Sequence, residues 1–292
     1  MTVETVPTSK ISSRASQLGW LNKRIIGPAV SHLVMILVVL FILLPMLYAF
    51  LLSTQVPAQY YRLEFTPGSS FLDNMRFSWN QVNLGRLLLN TSFVAITVSF
   101  GKIFLSILGA FAFVYFSFRG KPLFFALIML THMLPLPVRI VPTFELIDSL
   151  GWTNSFQALT IPFFASATGI LLFRQFYQTI PPSLVDAARM DGAGPLQFLV
   201  SIVMPISRSN MAALFLIEFI YTWNQYLWPL IIANSDRTRV IQVGLRQLVA
   251  SDAAVEWHRV MAGVVMAAIP PLIVLILLQK SLTQGIALNE EK

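Results

Sequence analysis

The residues most able to do chemistry lie between two long apolar segments. They run Pro181-Pro182-Ser183-Leu184-Val185-Asp186-Ala187-Ala188-Arg189-Met190-Asp191-Gly192-Ala193-Gly194, and on to Ile202-Val203-Met204-Pro205. Ser183 is placed to cap a short helix, with Asp186 at the three-residue spacing of a capping box. A carboxylate in a first turn also suits the helix dipole. Gly192 or Gly194 can take the left-handed conformation that ends a helix, and Pro195 suits the first position of the next one. Leu184, Ala187 and Ala188 form a small apolar face, and alanine there leaves room for close packing. The plain reading is a capped connecting helix between two membrane spans. The sharper one is a surface that docks onto another protein.

A second set of groups lies inside apolar segments, where an ionisable side chain is expensive and so a candidate for function. These are Lys102, Arg139 and Glu218. Lys102 suits snorkelling or an ion pair, and Glu218 is free to pair with Lys102 or Arg139. Arg139 lies near a predicted membrane edge, and its guanidinium fork matches phosphate geometry. The stretch Tyr221-Thr222-Trp223-Asn224-Gln225-Tyr226-Leu227-Trp228-Pro229 is more specific. An aromatic belt accounts for Trp and Tyr, but not for Asn224, Gln225 and Pro229 beside them. A break at Pro229 would let polar side chains and freed carbonyls line a cavity. Trp223, Tyr226 and Trp228 would then stack on a sugar-like or polyol ligand, while Asn224 and Gln225 supply hydrogen bonds.

The elements that position these groups are membrane spans. Of 292 residues, 56% are hydrophobic and only 11% charged, against roughly 25% charged in soluble domains. Roughly 20 apolar residues cross a bilayer, and six such segments are predicted, at about 29–52, 90–116, 123–141, 158–176, 211–232 and 260–278. The chain reads as an all-α integral membrane protein: a tail over 1–24, a permeating domain over 25–285 and a short tail over 286–292. The turn with Arg119 and Lys121 is basic, whereas 143–156 has no Lys or Arg. By the positive-inside rule both termini and the Asp186 loop are cytoplasmic. The net charge of +7 does not signal nucleic acid, because the basic residues flank apolar segments instead of forming one patch. Cysteine is absent and the three histidines are scattered, so no metal or disulfide frame is expected. No phosphate-binding Gly-Lys-Ser/Thr loop occurs, so the chain is not expected to hydrolyse ATP.

Ala187-Ala188, then Gly192, then Ile202 and Met204-Pro205 resembles the Glu-Ala-Ala loop of ABC importer permeases, with Asp186 for the Glu and Met204 for the usual Leu. The segment Trp223-Asn224-Gln225-Tyr226-Leu227-Trp228-Pro229 resembles permeases of the carbohydrate-uptake, maltose-type group. Three further stretches are similar to permease subunits of glycerol-3-phosphate importers: Met133 to Thr143, Ala165 to Phe176, and Phe219 to Leu230. The resemblance implies a type I importer permease fold in a bacterial cytoplasmic (inner) membrane. It implies that Asp186, Ala187, Ala188, Asp191, Gly192, Ile202 and Pro205 form a coupling helix seated on an ATPase. The residues read above, Arg139, Glu218, Trp223, Asn224, Gln225, Tyr226 and Trp228, are the ones expected to line the substrate path of such a permease. Implied partners are a second homologous permease, an ATPase dimer that binds ATP and Mg, and an extracytoplasmic substrate-binding protein. This chain itself is expected to hold no cofactor. The expected cargo is glycerol-3-phosphate or a glycerophosphodiester, with neutral sugars or polyols as the alternative. A stand-alone ion-coupled transporter would leave the 186–205 pattern unexplained.

Overall fold

The computed structural model describes residues 27–249 and 255–290. The predicted N-terminal tail lies outside them. Every described element is helical, as apolar segments demand when no water is at hand to satisfy backbone N–H and C=O groups. The helices are α1 (Gly27–Thr54), α2 (Pro57–Tyr61), α3 (Phe71–Gln81), α4 (Leu84–Tyr115), α5 (Lys121–Met133), α6 (Leu136–Ser149) and α7 (Phe156–Thr160). They continue as α8 (Ala167–Tyr177), α9 (Pro182–Met190), α10 (Pro195–Phe198), α11 (Arg208–Trp223), α12 (Leu227–Ile232), α13 (Ile241–Gln247) and α14 (Trp257–Glu290). A 3₁₀ turn extends α7 over Ile161–Phe163, and a π turn over Leu199–Val203 links α10 to Met204–Ile206.

Three stretches are long and apolar enough to cross a bilayer: Val30–Thr54, Leu84–Tyr115 and Trp257–Lys280. Three bent pairs raise the number to six if each counts as one span. They are Lys121–Met133 with Leu136–Ser149 (102°), Phe156–Phe163 with Ala167–Tyr177 (40°), and Pro195–Ile206 with Arg208–Trp223 (74°). The third segment, expected over 123–141, is instead a bent pair that runs on to Ser149. The chain turns at Leu134-Pro135, where Pro135 is extended at φ −62°, ψ 145°. A residue before proline avoids helical geometry, and Leu134 accordingly leaves it at ψ 116°. The expected fourth segment breaks at Phe164-Ala165-Ser166, and the expected fifth at Asn224-Gln225-Tyr226. Pro229 does not make that fifth break. It sits in the first turn of α12, where a missing N–H costs nothing. α14 runs on through 286–290, part of the stretch expected as a tail.

α4 is the hub, packing along α11 and α8, while α14 packs against α1, α11 and α3. Half of the α4 window is buried within this chain, against none of the α1 window. Three apolar clusters result. One joins Leu84, Leu87 and Ala95 to Phe219, Trp223, Ile241 and Met266. The second joins Ile107 and Phe111 to Phe173, Tyr177, Ala188, Phe198 and Leu214. The third joins Val94 and Val98 to Ile147, Leu159, Trp228 and Ile232. α9 is thus fastened to the second cluster, and the break after α11 lies between the first and the third.

Candidate functional site

α9 starts from Pro181, extended at φ −59°, ψ 135°, with Pro182 in the first turn. Ser183 therefore lies inside the helix and makes no cap, which corrects the expected capping box. Two consecutive prolines fix the helix start, so no side-chain acceptor is needed there. Asp186 instead lies 3.7 Å from the Arg189 guanidinium, an exposed pair one turn apart. The helix ends as expected at Gly192, at φ +75° in the left-handed region, with Pro195 opening α10. Gly194, the other candidate, has an ordinary φ of −68°.

The expected single apolar face of α9 is split. Ala188 points into the second cluster with Val185 beside it, and its backbone carbonyl accepts from Ala193 N at 2.9 Å. Leu184, Ala187 and Met190 face outward, and Met190 is 88% exposed. Ala187 and Met190, three residues apart, share one face, and Met190 lies nearly opposite Ala188, while Leu184, on the Ala188 side, sits one turn nearer the helix start where the second cluster no longer covers it. Asp191 is exposed at the helix end, whereas Ile202 packs on the second cluster and Pro205 starts the short turn before α11. An exposed Met beside small residues, on a helix braced from behind, is suited to docking in a partner's cleft.

Lys102 and Glu218 meet. Lys102 Nζ donates to Glu218 Oε2 at 2.5 Å, with both side chains nearly buried. Ser166 donates to the other carboxylate oxygen, Oε1, at 3.1 Å. The same Ser166 Oγ accepts from Gly169 N at 3.1 Å, and so caps α8. One serine thereby ties the break in the fourth segment to the ion pair between α4 and α11. The packing is close: a Cβ added at Gly169 would lie 2.2 Å from Ser106 Oγ and 2.9 Å from Leu214 Cδ2. Glu218 is thus engaged in the interior, by the first of the two partners the sequence left open.

The segment after α11 divides into buried and exposed halves. Trp223 is buried and stacked on Phe219, ring centroids 5.5 Å apart. Trp228 is also buried, and its Nε1–H donates to Ala158 O at 2.9 Å. Both rings are filled by protein contacts. Tyr226 is half-buried, and Asn224 is exposed with its Nδ2 donating to Ile220 O at 2.8 Å. Gln225 is buried, and its Nε2 has no hydrogen-bond partner.

α13 brings two residues to this break that the sequence reading did not place there. Gln242 Nε2 donates to Asn224 Oδ1 at 3.4 Å. Arg246 lies over the Tyr226 ring, 5.8 Å from its centroid, and Nη1 donates to the Tyr226 hydroxyl. Their four-residue spacing puts both on one side of a helix, a pattern visible in sequence once the helix is granted. Arg139 stands apart, exposed in the first turns of α6 beyond the 102° bend. Near the same break, Asn154 Oδ1 accepts from Ser235 N, Ser235 Oγ and Thr238 Oγ1, at 3.1, 3.0 and 2.6 Å. These contacts border a cavity of about 330 Å³ lined by Phe93, Gln157, Thr160 and Arg237. Among the described residues no group of three or more His, Cys, Asp or Glu side chains is arranged to hold a metal.

Comparisons with known proteins agree with this architecture. Residues 102–287 match the family described as binding-protein-dependent transport system inner membrane component. The sn-glycerol-3-phosphate transport system permease protein UgpE of Rhizobium meliloti is 41% identical over 281 residues, 93% of this chain and 100% of that protein. The protein of the same name from Pectobacterium atrosepticum is 42% identical over 270 residues, 89% of this chain and 96% of its own. Among solved structures, one described as a bacterial ABC transporter involved in the import of the acidic polysaccharide alginate superposes with a TM-score of 0.78. It shares 23% identity and covers 95% of this chain and 99% of its own, a likeness of fold.

Proposed function

The chain belongs to the family of binding-protein-dependent transport system inner membrane components, and on that premise we infer that it is the transmembrane permease subunit of an ATP-driven importer of sn-glycerol-3-phosphate. The observation that carries this is identity of about 40% with glycerol-3-phosphate permease subunits over nearly the whole chain. It is a multi-pass inner-membrane protein and the permease component of its transporter. Hydrolysis of ATP, with its Mg, belongs to a separate pair of ATPase subunits. A second, homologous permease completes the path, and an extracytoplasmic binding protein delivers the ligand. Both termini are cytoplasmic.

In this reading α9 is the coupling helix. Its exposed face, Ala187 and Met190 with Asp186 and Asp191 at the sides, seats in the ATPase. The buried Ala188 and the fixed turn at Gly192 transmit the push to the second cluster. Ile202 and Pro205 carry it to α11, whose far end bears the polar break at Asn224–Tyr226. A rigid body driven at one end and broken at the other suits alternating access. Of the residues expected on the substrate path, Asn224 and Tyr226 remain as direct contacts. Trp223, Trp228 and Glu218 support that region from inside.

The test is ATPase activity of the co-purified complex in lipid, with and without loaded binding protein, over a panel of ligands. Stimulation by glycerol-3-phosphate is expected. Stimulation by neutral sugars alone would discard the substrate and keep the machine.

A further inference from the structure

We propose that Arg246, held across the break after α11 by Tyr226, is the contact for the phosphate of the cargo at the outer mouth of the path, with Asn224 and Gln242 offering hydrogen bonds to its polyol part. The proposal rests on the reading above that the cargo is a phosphomonoester.

The location follows from helix geometry. α11 has 16 residues, which at 1.5 Å each span roughly 24 Å, close to a bilayer's hydrocarbon thickness of about 30 Å. The break at its end therefore lies at the membrane face opposite α9. Exposed polar groups at that level face water or a partner subunit, because lipid would leave them unsatisfied. Asn224 and Arg246 are both exposed there, and Tyr226 and Gln242 are half-buried between them.

Arg246 is held by an uncharged partner. Of the arginines outside the same face, Arg62, Arg239 and Arg259 are each within reach of a carboxylate, namely Glu64, Asp236 and Glu256, whereas Arg76, Arg86 and Arg237 make no ion pair among the described residues. Arg246 also makes no ion pair among the described residues, and it is the one held at the break itself, by a phenol hydroxyl and the face of that ring. A neutral partner fixes the guanidinium while leaving its charge uncompensated. It also uses one N–H of five, so a side of the fork stays open for a bidentate phosphate. The neighbouring polar bonds are equally unsaturated. The Gln242–Asn224 contact is long at 3.4 Å, and Gln225 Nε2 has no partner. Arg139, the cation favoured by sequence alone, has no such cluster around it.

The chain contains no cysteine, so Arg246→Cys gives this subunit a single thiol. In the intact reconstituted transporter this variant is expected to lower glycerol-3-phosphate uptake at least tenfold, as loss of one charge-assisted contact implies. A thiol reagent that attaches an ammonium group should restore a large part of uptake; one that attaches a sulfonate should not. Glycerol-3-phosphate should slow the labelling of this chain, and glycerol should leave its rate unchanged. Arg246→Gln and Arg246→Lys give the same reading without labelling, and ATPase assembly with each variant reports folding. Arg246→Gln with wild-type uptake, or labelling indifferent to glycerol-3-phosphate, would overturn the proposal. A wild-type transporter that does not carry glycerol-3-phosphate would instead defeat the functional reading beneath it, before any variant is compared.

Discussion

Removing one charge from the Lys102–Glu218 pair should cost far more than removing both. The pair is almost closed to solvent, with side chains 9% and 8% exposed. Lys102→Met leaves a buried carboxylate with only the Ser166 hydroxyl to accept from. Glu218→Leu leaves a buried ammonium with only the Tyr221 ring, 5.3 Å from Nζ. An uncompensated buried charge of this kind costs about 3–5 kcal/mol, or roughly two to four orders of magnitude in the folded-to-unfolded ratio. In the double variant no charge remains. Its main residual cost is the lost acceptor of Ser166, about 1 kcal/mol, against which two desolvation penalties disappear. The double variant should therefore stand within about 2 kcal/mol of the wild type, well above either single one. Unfolding in mixed micelles of mild detergent and dodecyl sulfate measures all four proteins on one scale. Single losses that simply add in the double variant would show that the two side chains act independently, and would refute the pairing and the role given to Ser166.

Gly169→Val should destabilise by about 1–3 kcal/mol, because the added atoms meet Ser106 and Leu214 between packed helices; the same micelle titration reads it. Ala187→Trp, on the exposed face of α9, should change stability by under about 0.5 kcal/mol yet abolish ATP-driven uptake, whereas Ala188→Trp should fail to fold against the second cluster. The micelle titration separates the two outcomes, since only the Ala187→Trp protein should unfold like the wild type, and loss of the ATPase from an affinity column checks that its docking is what fails. Trp228→Phe should cost about 1–3 kcal/mol by leaving Ala158 O without its donor. It should leave the apparent affinity of uptake for glycerol-3-phosphate unchanged, because the ring is enclosed by protein.

Much of α9 was legible because its signals are local. Gly192 and Pro195 dictate their own backbone, and the spacing of Ala187-Ala188, Gly192 and Pro205 is contained in one short stretch. The cap at Ser183 failed for an equally local reason, since Pro181-Pro182 had already set the helix start. Apolar length located the spans but not their bends. Hydropathy is blind to direction, and only the Pro135-Leu136-Pro137 run hinted at the 102° turn. The site depended on long-range contacts. Glu218 and Lys102 are 116 residues apart, and the choice between Lys102 and Arg139 needed the packing of α4 on α11. Trp223 and Trp228 have the composition of ligand platforms, but Phe219 and Ala158 satisfy them first. Arg246 was visible only as an arginine in a loop, until α13 folded back onto Tyr226.

The most direct measurement is uptake of radiolabelled glycerol-3-phosphate into proteoliposomes carrying this chain with its second permease and ATPase subunits, with binding protein outside and ATP inside. The account predicts accumulation against a gradient that requires both ATP and binding protein, and that is lost with Ala187→Trp. Accumulation by this chain alone without ATP, or none by the intact transporter, would contradict it.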